Sequence, residues 1–139
     1  MHLIVYTSYA VHSFGREEIS RLRAFSASVN RFNDITGLLV FDGKRFIQAI
    51  EGEPDTVIAT MNRIYNDRRH TKIVMIEDRP TAFRQFGSWS TEYREISKNY
   101  DETLFLDRVK IKVANVEDDT TKAAFIGFAA LSIRRWQMS

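Results

Sequence analysis

The 139-residue chain contains no cysteine, which excludes disulfides, thiolate metal sites and thiol nucleophiles. Its three histidines, His2, His12 and His70, stand far apart and form no ligand motif, so no metal is expected. Only two prolines interrupt it, and there are no repeats or low-complexity tracts, so a disordered chain is not expected. No apolar run approaches the ~20 residues needed to span a bilayer, and no secretory signal is visible, which points to a cytoplasmic location without membrane attachment. An excess of one charge is lacking too. Lysine plus arginine number 20 against 18 acidic residues, a balance that gives little support to nucleic-acid binding. What is there is ordinary for one globular domain: 44% hydrophobic, 27% charged and 12% aromatic residues, in a chain long enough to bury roughly two-thirds of its unfolded surface.

The stretch from Asn33 to Glu51, NDITGLLVFDGKRFIQAIE, organises the rest. It divides into two β runs, Ile35–Phe41 and Arg45–Glu51, around Asp42-Gly43-Lys44, and Asp-Gly between apolar runs is a strong hairpin signal. In the second run strand alternation puts Phe46, Gln48 and Ile50 on one face. Gln48 therefore shares its face with two large apolar groups. A buried amide without partners costs about 1–3 kcal/mol, so either main chain or a ligand must meet it there.

Upstream, His2–Ser8 is almost continuously apolar and reads as a strand buried on both faces, with Tyr6 on the face of Ile4. A helix fits Arg16–Val29, its inner stripe being Ile19, Leu22, Phe25, Ser26 and Val29, and Asn30, with Asn33 close behind, falls where it should stop. Downstream, Pro54 suits the first position of a second helix with Asp55 in its electropositive first turn. Val57, Met61, Ile64 and Tyr65 form its stripe, and Arg63 and Asp67, four residues apart, are expected to pair. Lys72–Glu77 and Gly87–Tyr93 supply a fourth and a fifth strand. The expected fold is α+β: a ferredoxin-like β-α-β-β-α-β-β sheet with two helices on one face. Residues 1–95 form this unit. From 96 to 139 a helical extension follows, weakly amphipathic over Asp101–Val113, then a helix from Asp118 to about Gln137. Its segment Ala123–Ile133 is apolar nearly all round, so it should pack on the free sheet face and also against another subunit.

Taken singly, the polar residues on this frame have plain explanations. Tyr6 is a strand tyrosine, Asn30 a helix C-cap, Arg63 and Asp67 a solvated pair worth about 0.3–0.5 kcal/mol, His70 a neighbour of a helix dipole, Trp89 core. Taken together, in order and at these spacings, Ile4-Val5-Tyr6-Thr7-Ser8, Asn30, Ile35-Thr36-Gly37-Leu38-Leu39, Phe46-Ile47-Gln48-Ala49-Ile50-Glu51-Gly52, Arg63-Ile64, Asp67, Arg69-His70, Phe86 and Trp89-Ser90 resemble the BLUF family, blue-light sensors that use flavin. The likeness runs through most of the first 95 positions. It implies a flavin between the two helices, FAD by family preference with FMN or riboflavin as alternatives. Asn30 and Gln48 would bond its polar edge, beside Tyr6, Phe46 and Ile64, with Arg63, Asp67, Arg69 and His70 on the other side of the ring and toward its tail. It also implies photochemistry at Tyr6, Gln48 and Trp89: the excited flavin takes an electron and a proton from the tyrosine, and the glutamine amide ends reoriented or tautomerised.

One position departs from the family pattern. Many members carry methionine two residues after the tryptophan, where this chain has Thr91, which puts the relay step in question; Met75 on the fourth strand is expected to fill some of the vacated volume. Trp89 is either buried near Gln48 or turned outward, and the sequence leaves both open. The expected protein is a stand-alone photoreceptor and not an enzyme, signalling to a separate protein or through its own homo-oligomeric assembly. Two other readings compete: an acylphosphatase-like enzyme, for which no glycine-rich phosphate cradle is found, and a ferredoxin-like module for RNA or protein, which needs aromatics on an open sheet face.

Overall fold

Short runs, near-continuously buried in the three central strands, produce five strands among the residues that the computed structural model describes, 1–94 and 102–138. In chain order the elements are β1 (His2–Ala10), α1 (Arg16–Phe32), β2 (Thr36–Phe41), β3 (Arg45–Gly52), α2 (Pro54–Tyr65), β4 (His70–Pro80), β5 (Trp89–Tyr93), α3 (Glu102–Lys112) and α4 (Asp119–Met138). The expected division at 95/96 and the start of the weakly amphipathic segment at Asp101 lie outside the described residues.

The sheet order is β4-β1-β3-β2-β5. β3 is central, antiparallel to β1 and β2; β4 closes one edge antiparallel to β1, and β5 closes the other parallel to β2. The hairpin is held at its turn by Asp42, whose Oδ1 accepts from the amides of Lys44 (2.9 Å) and Arg45 (2.6 Å). Gly37, with φ 152°, is required by close approach: a Cβ there would lie 1.9 Å from the carbonyl oxygen of Ala49 on β3.

Period-2 alternation sends the sheet's side chains to two separate cores. On one face Ile4, Tyr6 and Ile50 meet Val57 and Met61 of α2, while Leu39, Phe41 and Phe46 meet Ile19 and Leu22 of α1. On the other, Leu3, Val5, Leu38, Val40, Ile47 and Ala49 are covered by Phe105 and Val109 of α3, Val113 just beyond it, and Phe125, Phe128 and Ala129 of α4. Polar bonds pin these helices: Ser132 donates to Asp42 Oδ2 at 2.6 Å, Thr121 to Glu77 Oε1 at 2.5 Å, and Arg108 Nε to Glu92 Oε2 on β5 at 3.0 Å. Both sheet faces are thus covered, and Tyr6 and Phe46 are buried, which removes the open aromatic platform that an RNA-binding sheet requires.

Three local expectations are corrected. Helix α1 continues past Asn30 to Phe32 and is capped by Asn33, after which Asp34 takes the left-handed turn at φ 55°; Asn30 is a buried residue within the helix, not its cap. Tyr65, placed on the inner stripe of α2, is 53% exposed because it is the last helical residue, where the chain turns away from the sheet. Met75 cannot fill space beside Thr91, because β4 and β5 are opposite edges of the sheet. On α4, Leu131 stands 50% exposed on the single chain while Phe125, Phe128 and Ala129 face the sheet, so one side of the apolar helix is covered by the chain itself.

Candidate functional site

On adjacent antiparallel strands, Tyr6 and Gln48 are directly opposed in register, a geometry that brings two side chains on one face within contact. The Tyr6 hydroxyl donates to Gln48 Oε1. Burial pushes the Tyr6 phenol far above its ordinary range, and the charge of Asp67 adds to the shift; the proton is held on the phenol. Gln48, 7% exposed, and Asn30 on α1, 5% exposed, both border a cleft between the two helices and the sheet. Among the described residues no protein group meets the amide nitrogen of Gln48 or the carboxamide of Asn30, whereas the main chain of Asn30 is used, its carbonyl accepting from Ile35 N at 2.8 Å.

The cleft opens to solvent and, with that open space included, spans about 690 Å³ free of atoms. α1 contributes Leu22, Phe25, Ser26, Val29 and Asn30; the sheet contributes Tyr6, Leu39, Phe46 and Gln48; α2 and its exit contribute Thr60, Arg63, Ile64, Asp67, Arg69 and His70. Nine residues singled out in the sequence, Tyr6, Asn30, Phe46, Gln48, Arg63, Ile64, Asp67, Arg69 and His70, are brought to this one cleft. Trp89 is not among its lining residues. It packs half-buried against the residues of that face, its ring edge 3.3 Å from where a Cβ of Gly37 would stand, with the indole Nε1 buried and unpartnered among the described residues.

The pair expected between Arg63 and Asp67 is not formed. α2 ends at Tyr65, so Asp67 lies beyond the helix, where it takes Arg69 instead: Nε at 2.9 Å and Nη2 at 2.5 Å, with the Arg69 amide at 3.0 Å. Arg63 reaches Thr60 Oγ1 at 3.3 Å. Burial pushes the Asp67 carboxyl up, but the Arg69 bonds, aided by the charges of Arg69 and His70, outweigh it and hold the group below the usual carboxylate range. The guanidinium of Arg69 also stands 6.0 Å over the ring of Phe25 on α1, bridging the cleft mouth. His70 has both ring nitrogens bonded, Nε2 to the carbonyl of Ile64 at 2.7 Å and Nδ1 to Ser8 Oγ at 2.7 Å. No cluster able to hold a metal exists among the described residues.

A family model described as "Sensors of blue-light using FAD" matches residues 1–92. The chain belongs to the BLUF family. It is thus a flavin-binding blue-light sensor by family, and its matched span takes in both cleft helices and nearly all of the sheet. It is 28% identical over 85 residues to the photoactivated adenylate cyclase subunit alpha of Euglena gracilis, covering 61% of this chain and 8% of that protein. It is 31% identical over 87 residues to the blue light- and temperature-regulated antirepressor BluF of Escherichia coli, covering 60% of this chain and 22% of the other. The chain therefore spans less than a quarter of either relative's length. In fold it is similar to BlrB, a BLUF protein solved in its dark state, with a TM-score of 0.68, 20% identity and 96% of each chain covered. That likeness takes in the C-terminal helices lying beyond the family match.

Thr60 of the cleft, and Ser8 behind it as the partner of His70, were given no site role by the sequence reading. Ser8 carried a signal, being a hydroxyl on the Ile4-Tyr6 face of an apolar strand; Thr60 carried none. No described helix is long and apolar enough to cross a membrane.

Proposed function

We propose that this BLUF chain senses light through one hydrogen bond, from Tyr6 to Gln48, placed against a flavin held by Asn30, Gln48 and the exit of α2. The observation that supports it is the pair of buried carboxamides, Asn30 and Gln48, turned to one cleft without protein partners. A heteroaromatic ring edge offering both donors and acceptors satisfies such a pair, and the apolar walls from Leu22, Val29, Leu39 and Ile64 suit the ring faces. Arg63 and Arg69, at the exit of α2, suit the phosphate-bearing tail. The assigned flavin is FAD, the one in the family description, with FMN or riboflavin occupying the same ring site.

A bound flavin absorbs blue light and, when excited, accepts an electron and a proton. Tyr6 is placed to supply both, since a phenol can donate each and its O–H already points at Gln48 Oε1. A carboxamide presents an acceptor and a donor on one small group, so its reorientation or tautomerisation exchanges what Tyr6 and the cleft each meet. Because water cannot repair a mismatch at 7% exposure, the exchange is worth about 1–3 kcal/mol, enough to bias a two-state packing element. The signal then passes to a separate protein or alters assembly of the chain with itself. The outward side of α4, with Leu131 exposed, is the surface offered for a second copy. No step here asks the chain itself for enzymatic turnover.

The deciding experiment is an absorption spectrum of the purified protein before and after blue illumination, with size-exclusion chromatography in both states. A flavin spectrum that shifts reversibly to the red is expected; a colourless protein, or a flavin spectrum unmoved by light, refutes the reading. Chromatography of the released pigment identifies the flavin.

A further inference from the structure

Ser8 lies two residues beyond Tyr6 on the same face of β1 and is 1% exposed. The ladder between β1 and β4 skips it: Thr7 pairs with Val74 and Tyr9 with Thr71, with a register shift between them. Close by, Lys72 adopts a left-handed φ of 56°. The backbone alone therefore leaves this corner of the sheet irregular, and its regular cross-link is a side-chain one, Ser8 Oγ to His70 Nδ1 at 2.7 Å.

The other ring nitrogen decides how that cross-link is polarised. The Ile64 carbonyl only accepts, so Nε2, at 2.7 Å, must carry a proton. In the neutral ring Nδ1 is then a bare acceptor, and the group that donates to it is the Ser8 hydroxyl. Ile64 belongs to the last turn of α2, and its carbonyl also receives the Asp67 amide at 3.1 Å. His70 thus adds a second donor to a carbonyl at the helix end, while its ring stands 6.1 Å from that of Tyr6 and 6.2 Å, edge-on, from that of Phe46.

We infer that Ser8 is a positioning residue of the light-sensing site: acting through His70, it fixes the exit of α2, which forms one wall of the cleft, against the strand that carries Tyr6. The inference rests on the flavin reading for its consequence but not for its geometry. Removal of the hydroxyl leaves Nδ1 facing a buried gap, frees the ring, and loosens the turn that carries Asp67 and Arg69.

The test is amide hydrogen exchange on the full-length protein, with dark recovery of the light-induced shift as a second readout. Ser8→Ala is expected to speed exchange at Asp67–His70 by about fivefold to tenfold, as loss of one buried hydrogen bond would, and to change the recovery rate at least about threefold. Ser8→Thr restores both. Ser8→Cys, near in size with a weak donor, falls between. If Ser8 acts only through His70, the double variant Ser8→Ala/His70→Ala exchanges no faster than His70→Ala alone. Exchange within about twofold of the parent in Ser8→Ala, parent-like behaviour in Ser8→Cys should the alanine variant not fold, or additive effects in the double variant would overturn the assignment. A parent protein without flavin defeats the flavin reading instead, and the exchange comparison still decides Ser8.

Discussion

Replacing Gln48 by leucine strips the acceptor from a phenol that is 2% exposed. The Tyr6 O–H has no water to turn to, so the cost is that of an unsatisfied buried donor, about 1–3 kcal/mol, offset in part by the added apolar surface. Tyr6→Phe does the converse, leaving Gln48 Oε1 without its donor at a similar cost. Making both changes removes both orphans, and a pair replaced by apolar groups of similar shape is nearly neutral. The double variant should therefore be more stable than the sum of the singles predicts, by at least about 2 kcal/mol, well outside the ~0.3–0.5 kcal/mol scatter of independent sites. Urea denaturation of the four proteins in the dark, followed by circular dichroism, measures this coupling. The light-minus-dark spectrum then separates packing from photochemistry: each single variant should keep its flavin and lose the reversible red shift. Additive stabilities, or a normal red shift in Gln48→Leu, would refute the assigned contact and its role.

Three further outcomes follow from the same geometry. Asn30→Ala removes a buried carboxamide that no protein group uses, so it should weaken flavin retention about tenfold while changing the thermal midpoint of the flavin-free protein little, as measured by titration and calorimetry. Thr91→Met, on β5 beside Leu39 in register, should alter the dark recovery rate more than the position of the absorption band; unchanged recovery counts against a relay there. For Asp67, whose carboxyl is held below its ordinary range, the stabilising contribution is present above the unfolded-state value near about pH 4 and is lost as pH falls through the lower folded value. Asp67→Asn should therefore cost stability at neutral pH and progressively less below about pH 4, and a constant difference across that window would contradict the pairing with Arg69.

How much of this was legible from the sequence depends on the range over which each feature is decided. Strand alternation is local, so the apolar setting of Gln48 and the shared face of Tyr6 and Ile4 could be read directly. The hairpin turn is equally local, carried by Asp42-Gly43. Helix ends are set by small energy differences over a few residues: the chain has an asparagine at both 30 and 33, and the choice fell to Asn33, where the chain leaves the helix for the left-handed Asp34. The same uncertainty misplaced Asp67. Spacing of four residues pairs side chains only within a helix, and with α2 closing at Tyr65 the carboxylate sits in a turn that hands it to Arg69. Strand order is a global property, and nothing in the spacing of β4 and β5 shows that they close opposite edges of the sheet.

The Tyr6–Gln48 bond lies between these extremes. Each partner is placed on its face by local alternation, yet their meeting requires β1 and β3 to be neighbours in one register, across 42 residues of chain. That register is not free to slip. A shift by one residue would turn Leu3, Val5, Ile47 and Ala49 out of the core under α3 and α4, and Ile4, Tyr6 and Ile50 away from α2. Two apolar cores, one on each side of the sheet, thus hold a single polar pair in alignment. The C-terminal helices, although they lie beyond the family match, help set the contact proposed here to sense light.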